Sequence, residues 1–397
     1  MRAYNSIHVQ NRALRQQADR WQREGLIQPD QREAIRQAFP VPFRESNVFA
    51  ELGSFVFTVL AVGGAYAFVL LLINGIIDNK AAFAGFNGLV SLVLVFLLHT
   101  FIREAQFYRN GPDNALVVMA ASFLVTAVNI ALPDSAALWL RCLVSVPVLL
   151  AFAIYYGEVI VAFMALASFF ASFFTGFLEF DWGRMALPFM LMVVSLLLKW
   201  VLNNVQSRLT EADQTYFADA LSMGEWVCLI VLAAAGNYFV VRELNGLLAD
   251  VPAGQARPEV APQIALPALF WVLTFLIPAI YAYLGLTRKN RMYVILGALG
   301  LAGATSTVRY YFPLLPLSIH LTLIGTLLIG TAAMAIRYLR QPRFGFTDVP
   351  DGESPRQFFL NSELLSVMQA TGTTINRQPD MKFGGGDFGG GGAGRDY

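Results

Sequence analysis

The sequence predicts an all-α, polytopic transmembrane helical bundle, and three observations carry that prediction. About ten separate apolar runs lie between Leu52 and Arg337, each near the ~20 residues that a helix needs to cross a ~30 Å hydrocarbon core. Of the 397 residues, 56% are apolar and only 14% charged, where a soluble domain carries roughly 25% charged residues, and the mean hydropathy is +0.54. The basic residues, finally, are distributed unevenly about those runs. Backbone groups in lipid have no water to bond, so the spans must be helical, and the alternating pattern of a membrane barrel is absent.

The elements follow in order. Residues 6–39 read as a helical hairpin. Leu14, Ala18 and Trp21 recur at helical spacing, Gly25 stops the first helix, and Leu26 and Ile27 follow as apolar contacts of the turn. Pro29 opens a second short helix carrying Ala34, Ile35, Ala38 and Phe39, and Pro40 and Pro42 end it. Arginines 12, 15, 20, 23, 32 and 36 lie on the polar faces, interleaved with Asp19, Glu24 and Glu33. Such a hairpin is too small to hold its own core. It must dock on the membrane domain, on a partner or on anionic lipid, unless its charges serve topology alone.

Ten spans are expected at 52–73, 81–102, 114–132, 136–154, 159–178, 185–203, 222–241, 264–286, 292–310 and 314–337, the fourth and fifth joined tightly at Tyr156 and Gly157. Between the sixth and seventh, Thr210, Glu211 and Asp213 make an N-cap with an acidic first turn, from which a short helix runs into the seventh span. Residues 242–263 form the largest loop on the opposite side, made irregular by four prolines and glycines. In the tail, Ser354 and Pro355 can cap a short helix bearing Phe358, Phe359, Leu364 and Leu365, and the chain ends in a glycine-rich stretch expected to be disordered. Three regions result: a cytoplasmic hairpin (1–50), a transmembrane domain (51–338) and a cytoplasmic tail (339–397).

Orientation comes from charge. Of 28 Lys and Arg, five lie in one set of alternate segments (Lys80, Arg184, Arg242, Arg257, Arg309), Arg141 lies inside a span, and 22 lie with the termini. The positive-inside rule places that richer side, and both termini, in the cytoplasm.

Ionisable residues inside spans are costly and hence functional candidates. Arg141 and His320 enter their spans from the outer side, and Arg309 ends the ninth span there. With Asp134, Glu179 and Asp181 they could line an outer vestibule for an anionic or proton-coupled substrate; alternatively Arg141 snorkels and pairs with Asp134 while His320 bonds backbone. Near the inner side sit Glu225, Lys199 and His99, read as a Glu–Lys pair or as an inner proton acceptor. Asn129 and Asn237 are expected to tie helices together. Gly297, Gly300 and Gly303, with nearby alanines, make a smooth helix surface, and Pro147, Pro188, Pro267, Pro278 and Pro316 interrupt helices.

Several chemistries have no sequence basis. No phosphate-binding loop, dinucleotide fingerprint, HExxH or Gly-x-Ser-x-Gly motif occurs, and Cys142 and Cys228 have no metal-ligand spacing. No cofactor or metal site, no catalytic residue and no nucleic-acid partner is expected. No Asp lies deep in a span and no acidic pair has i, i+4 spacing at the midplane, which weighs against active transport. The reading is a non-enzymatic membrane component that binds membrane lipids or envelope proteins through its cytoplasmic ends; the alternative is a small-solute transporter or channel using the Arg141/His320 level.

The opening pattern Trp21-Gln-Arg-Glu-Gly25-Leu26-Ile27-Gln-Pro-Asp-Gln31, followed closely by many spans, resembles a group of bacterial polytopic inner-membrane proteins of unknown function. These begin with a short helix, a Gly-Leu-Ile turn and a second helix. The likeness covers residues 10–75 and implies a bacterial cytoplasmic membrane and a helical architecture, with no activity attached.

Overall fold

The computed structural model describes residues 2–23, 25–43, 48–73, 75–104, 106–248, 261, 263–312 and 316–340. Side chains at some helical positions, His320 among them, fall outside that description, as do most of the 242–263 loop and the expected tail helix and glycine-rich end. Thirteen helices and no strand are found among the described residues. Nine of them are long and apolar enough to cross a membrane. The protein is an all-helical, multi-pass membrane protein.

The hairpin forms as its sequence requires. Helix α1 (Ser6–Arg23) ends at Gly25, whose φ of +73° suits a residue without a Cβ. Trp21 O accepts the amide of Leu26 at 2.8 Å, and α2 (Pro29–Ala38) starts with Gln28 and Gln31 in a capping box. The arginines are less available than their spacing suggests. Arg15 donates to the carbonyls of Phe39 and Arg36 at 2.7 and 2.6 Å, capping the end of α2, while Arg36 and Arg32 both reach Asp19. Val9 and Tyr4 pack with Tyr108 and Tyr216, so the hairpin docks on the membrane domain through α1.

The spanning helices are α3 (Val48–Leu72), α4 (Lys80–Glu104), α5 (Pro112–Ala131), α6 (Leu138–Tyr156), α7 (Val159–Phe177), α8 (Gly183–Arg208) and α9 (Glu211–Gly236). After the short α10 (Tyr238–Leu248) come α11 (Pro267–Thr287), α12 (Arg291–Tyr311) and α13 (Leu317–Leu339). Helices α4 and α5, α6 and α7, α8 and α9, and α11 and α12 pack as hairpins, whereas α3 lies on α5. A core of Leu98, Leu116, Val117, Leu149 and Val161 joins α4 to α7, and Ala120 and Ala121 let α5 approach closely. Helix α3 shows the lipid-facing extreme: Phe57 is 73% exposed and Leu71 81% exposed, an apolar surface that only hydrocarbon suits.

Several expectations need adjustment. The seventh span ends at Gly236 rather than 241: Asn237 breaks the helix, and its Oδ1 caps α10 by accepting the Phe239 amide at 2.9 Å. The helix expected from Thr210 does run unbroken into that span, with Thr210 Oγ1 accepting the Asp213 amide. Pro267 and Pro316 start helices rather than interrupt them, because a helix's first amides have no partner to lose. Gly297 and Gly300 do sit at a close crossing, where an added Cβ would lie 2.6 Å from Ala282 N and 2.7 Å from Pro278 Cγ. An added Cβ at Gly303 would meet nothing within 4 Å, so this third glycine takes no part in the close crossing. Asn129 and Asn237 bridge helices as expected, through Ser145 and Thr307.

Candidate functional site

The densest polar cluster lies on the face that carries residues 2–4, and two connections and the first turns of α9 build it. The loop before α5 turns at Arg109 (φ +54°) and Gly111 (φ +93°), where an added Cβ would strike Glu51 O. The α6–α7 joint turns at Gly157 (φ +67°), and Tyr216 of α9 packs so tightly there that an added Cβ would lie 2.8 Å from its ring. Alternate connections of an up-and-down bundle share one face, so these segments, distant in sequence, meet.

Arg109 ties them together. Its guanidinium pairs with Asp219 and donates to Gly157 O at 2.9 Å and Tyr216 O at 3.3 Å. Burial opposes its charge, but Tyr108, Asp219 and Glu158 outweigh burial and hold its pKa above the ordinary arginine value. Asp113, fully buried in the first turn of α5, orders the loop. Its Oδ2 accepts the Arg109 amide at 2.7 Å and its Oδ1 the Asn110 amide at 2.8 Å. Tyr4 donates to the same Oδ2 at 3.0 Å. Burial, then Asp113, pushes the Tyr4 phenol well above its usual value, so it remains a neutral donor.

The chain's first residues therefore form part of the site. Ala3 donates its amide to Tyr155 O at 3.0 Å, and Arg2 pairs with Asp213 while its guanidinium lies 5.2 Å from the Tyr216 ring centroid. Tyr155 O also accepts the Tyr216 hydroxyl at 2.8 Å. Glu158, only 5% exposed, caps α7 through a long 3.5 Å bond from the Ile160 amide, and burial pushes its carboxyl up to about 7 despite Arg109.

The residues singled out from sequence are placed as follows. Lys199 and Glu225 do form an ion pair, at 2.7 Å, and Tyr293 of α12 donates to the same Glu225 oxygen at 3.2 Å. His99 stands apart from that pair. Its Nδ1 donates to Val95 O at 2.9 Å, a carbonyl that can only accept, and its Nε2 lies 3.2 Å from the Tyr155 hydroxyl. That contact puts His99 at the edge of the Arg109 cluster. Arg141 does not pair with Asp134. Its guanidinium donates to Ala136, Asn129 and Pro133 carbonyls at 3.2, 2.8 and 2.8 Å, closing the end of α5, while Asp134 pairs with Lys80 at 2.6 Å. Arg309 ends α12, and His320 belongs to α13. No group of three His, Cys, Asp or Glu side chains arranged to hold a metal occurs among the described residues.

Tyr4, Asp113, Glu158, Tyr216 and Asp219 went unmarked in the sequence. One signal was available: Gly157 and Glu158 alone separate two spans, and an acid in so short a joint has little room for water. Arg109, counted there as a loop charge, is in fact largely buried.

Compared with known protein families, curated proteins and solved structures, the chain matches none. The site defines a class and no more: a multi-pass helical membrane protein with a buried charge network closed by residues 2–4.

Proposed function

We propose that the protein is a non-enzymatic component of a bacterial cytoplasmic membrane that binds envelope proteins or lipids through its cytoplasmic ends. The observation that carries this reading is the docked hairpin. It is held by Arg2, Ala3, Tyr4 and Val9, yet leaves Ile7, Leu14, Trp21 and Leu26 exposed, the last at 67%. A fixed element with apolar side chains outward is suited to a second surface. Its face also holds Arg103, Arg109 and Arg208, which under the positive-inside rule makes it cytoplasmic. The bacterial origin rests on the resemblance of residues 10–75. Transport through an Arg141/His320 level draws no support from Arg141, whose donors are engaged by backbone.

The test is gentle purification of the full-length protein from its native membrane, with mass spectrometry of what accompanies it. A stoichiometric protein or lipid lost when Leu14, Trp21 and Leu26 are changed to Ser together, or when residues 341–397 are removed, supports the reading. A protein recovered alone, with a flux that Arg141→Ala abolishes at unchanged protein level, refutes it.

A further inference from the structure

Glu158 is a buried carboxyl that no basic side chain bonds among the described residues. Arg109, the cation that faces it, is committed to Asp219 and to the Gly157 and Tyr216 carbonyls. The Glu158 carboxyl instead meets the backbone amides of Ile160, at a long 3.5 Å, and Val159. The joint that carries it is covered from outside by the N-terminal segment: Ala3 is bonded to Tyr155, and Tyr4 reaches across to Asp113. Lifting residues 2–4 would therefore let water reach Glu158, and setting them down removes that water.

The surroundings can be named element by element. The N-terminal segment contributes Tyr4 and Arg2; α1 contributes Arg12, 5.0 Å from the Tyr108 ring centroid. The loop before α5 and its first turn contribute Tyr108, Arg109 and Asp113. Helix α9 contributes Asp213, Tyr216 and Asp219, and beyond the joint stand Tyr155, Tyr156 and His99. Arg109 pairs with Asp219, Arg2 pairs with Asp213, and Asp113 accepts two amides and a phenol, so among the described residues Glu158 is the acid of this cluster with neither an ion pair nor a side-chain donor.

We propose that Glu158 is a proton-binding site coupled to the docking of the N-terminal segment, which is held when the carboxyl is protonated and loosened when it ionises. The direction follows from linkage. Burial raises the docked-state value from 4.5 to about 7, so the docked state binds the proton more tightly than an open, hydrated one. Docking is then strongest at acid pH, weakens as pH rises from about 4.5 to about 7, and levels off above. Between pH 5 and pH 8 the docking equilibrium changes by about 70-fold if Glu158 alone titrates. This holds whatever the hairpin binds, so it stands or falls independently of the partner.

The test is amide hydrogen exchange of residues 2–9 in the full-length protein in lipid nanodiscs, corrected for intrinsic rates, between pH 5 and pH 8. Protection should fall with rising pH toward that magnitude, with α5 and α7 unchanged. Glu158→Gln should hold the acid-level protection at every pH. Asp213→Asn, which removes the Arg2 ion pair and alters the Thr210 contact at the start of α9 but leaves Glu158 in place, should lower protection evenly without changing the slope. A flat wild-type profile, a Glu158→Gln profile like wild type, or a slope removed by His99→Gln would each overturn the proposal.

Discussion

Replacing Asp113 by Asn tests the account of the buried cluster most directly, because it keeps the shape and changes only the bonding. Asp113 accepts three hydrogen bonds, from the Tyr4 hydroxyl and from the amides of Arg109 and Asn110, and has no exposure. Asparagine offers one acceptor oxygen and one NH2 group. In one orientation the Asn110 amide faces an NH2; in the other, both Tyr4 and the Arg109 amide lose their acceptor. A hydrogen bond to a charged group contributes about 1.5–3 kcal/mol, so the better orientation still costs about 2–3 kcal/mol. For a chain of this size that corresponds to a fall in melting temperature of roughly 2–4 °C. The assay is thermal unfolding in detergent at matched protein concentration, with Asp134→Asn as the control. Asp134 is 92% exposed beside Lys80, and its loss should leave the melting temperature within error. An Asp113→Asn variant as stable as wild type would refute the assignment of Asp113 as the loop's organising acceptor.

Further expectations concern other parts of the molecule. Gly297→Ala should force α11 and α12 apart and cost about 1–3 kcal/mol, while Gly303→Ala, facing open space, should be neutral; paired melting curves check both. Lys199→Met or Glu225→Met alone should destabilise by about 3–5 kcal/mol, because each strands the other charge, and the double variant should recover much of that in a double-mutant cycle. Tyr4→Phe should cost less than Asp113→Asn, since both backbone amides keep their acceptors, and should increase proteolytic nicking within α1 while leaving the spans protected.

Much of the scaffold was legible in the sequence because periodicity and length act locally. The hairpin's turn at Gly25, the Thr210 cap and the close crossing at Gly297 each depend on a few neighbouring residues. The Lys199–Glu225 pair was legible for a related reason: two opposite charges at similar depth in consecutive antiparallel spans have few other partners. The main cluster was not legible, because it assembles from segments more than a hundred residues apart. Periodicity says which side of a helix is apolar but not which other helix meets it, so Arg109 read as a topology charge and Tyr4 as an unremarked terminal residue. Arg141 misled in the opposite sense. Its depth suggested a substrate or an acid, whereas the free carbonyls at the end of α5 offered nearer acceptors.

The docked N-terminus sets an order of events during biosynthesis. Arg2, Ala3 and Tyr4 leave the ribosome well before their partners, which include Tyr155, Asp213 and Tyr216. With translation at ~5–20 residues per second, this segment waits on the order of 10–40 s for α9 to emerge. Throughout that interval Val9 and Tyr4 lack the surface that later buries them, and α3 through α8 must enter the bilayer behind an unplaced leader. The nascent chain thus carries an exposed apolar hairpin until α9 closes the bundle, and a chaperone or the membrane surface itself would have to shield it over that interval.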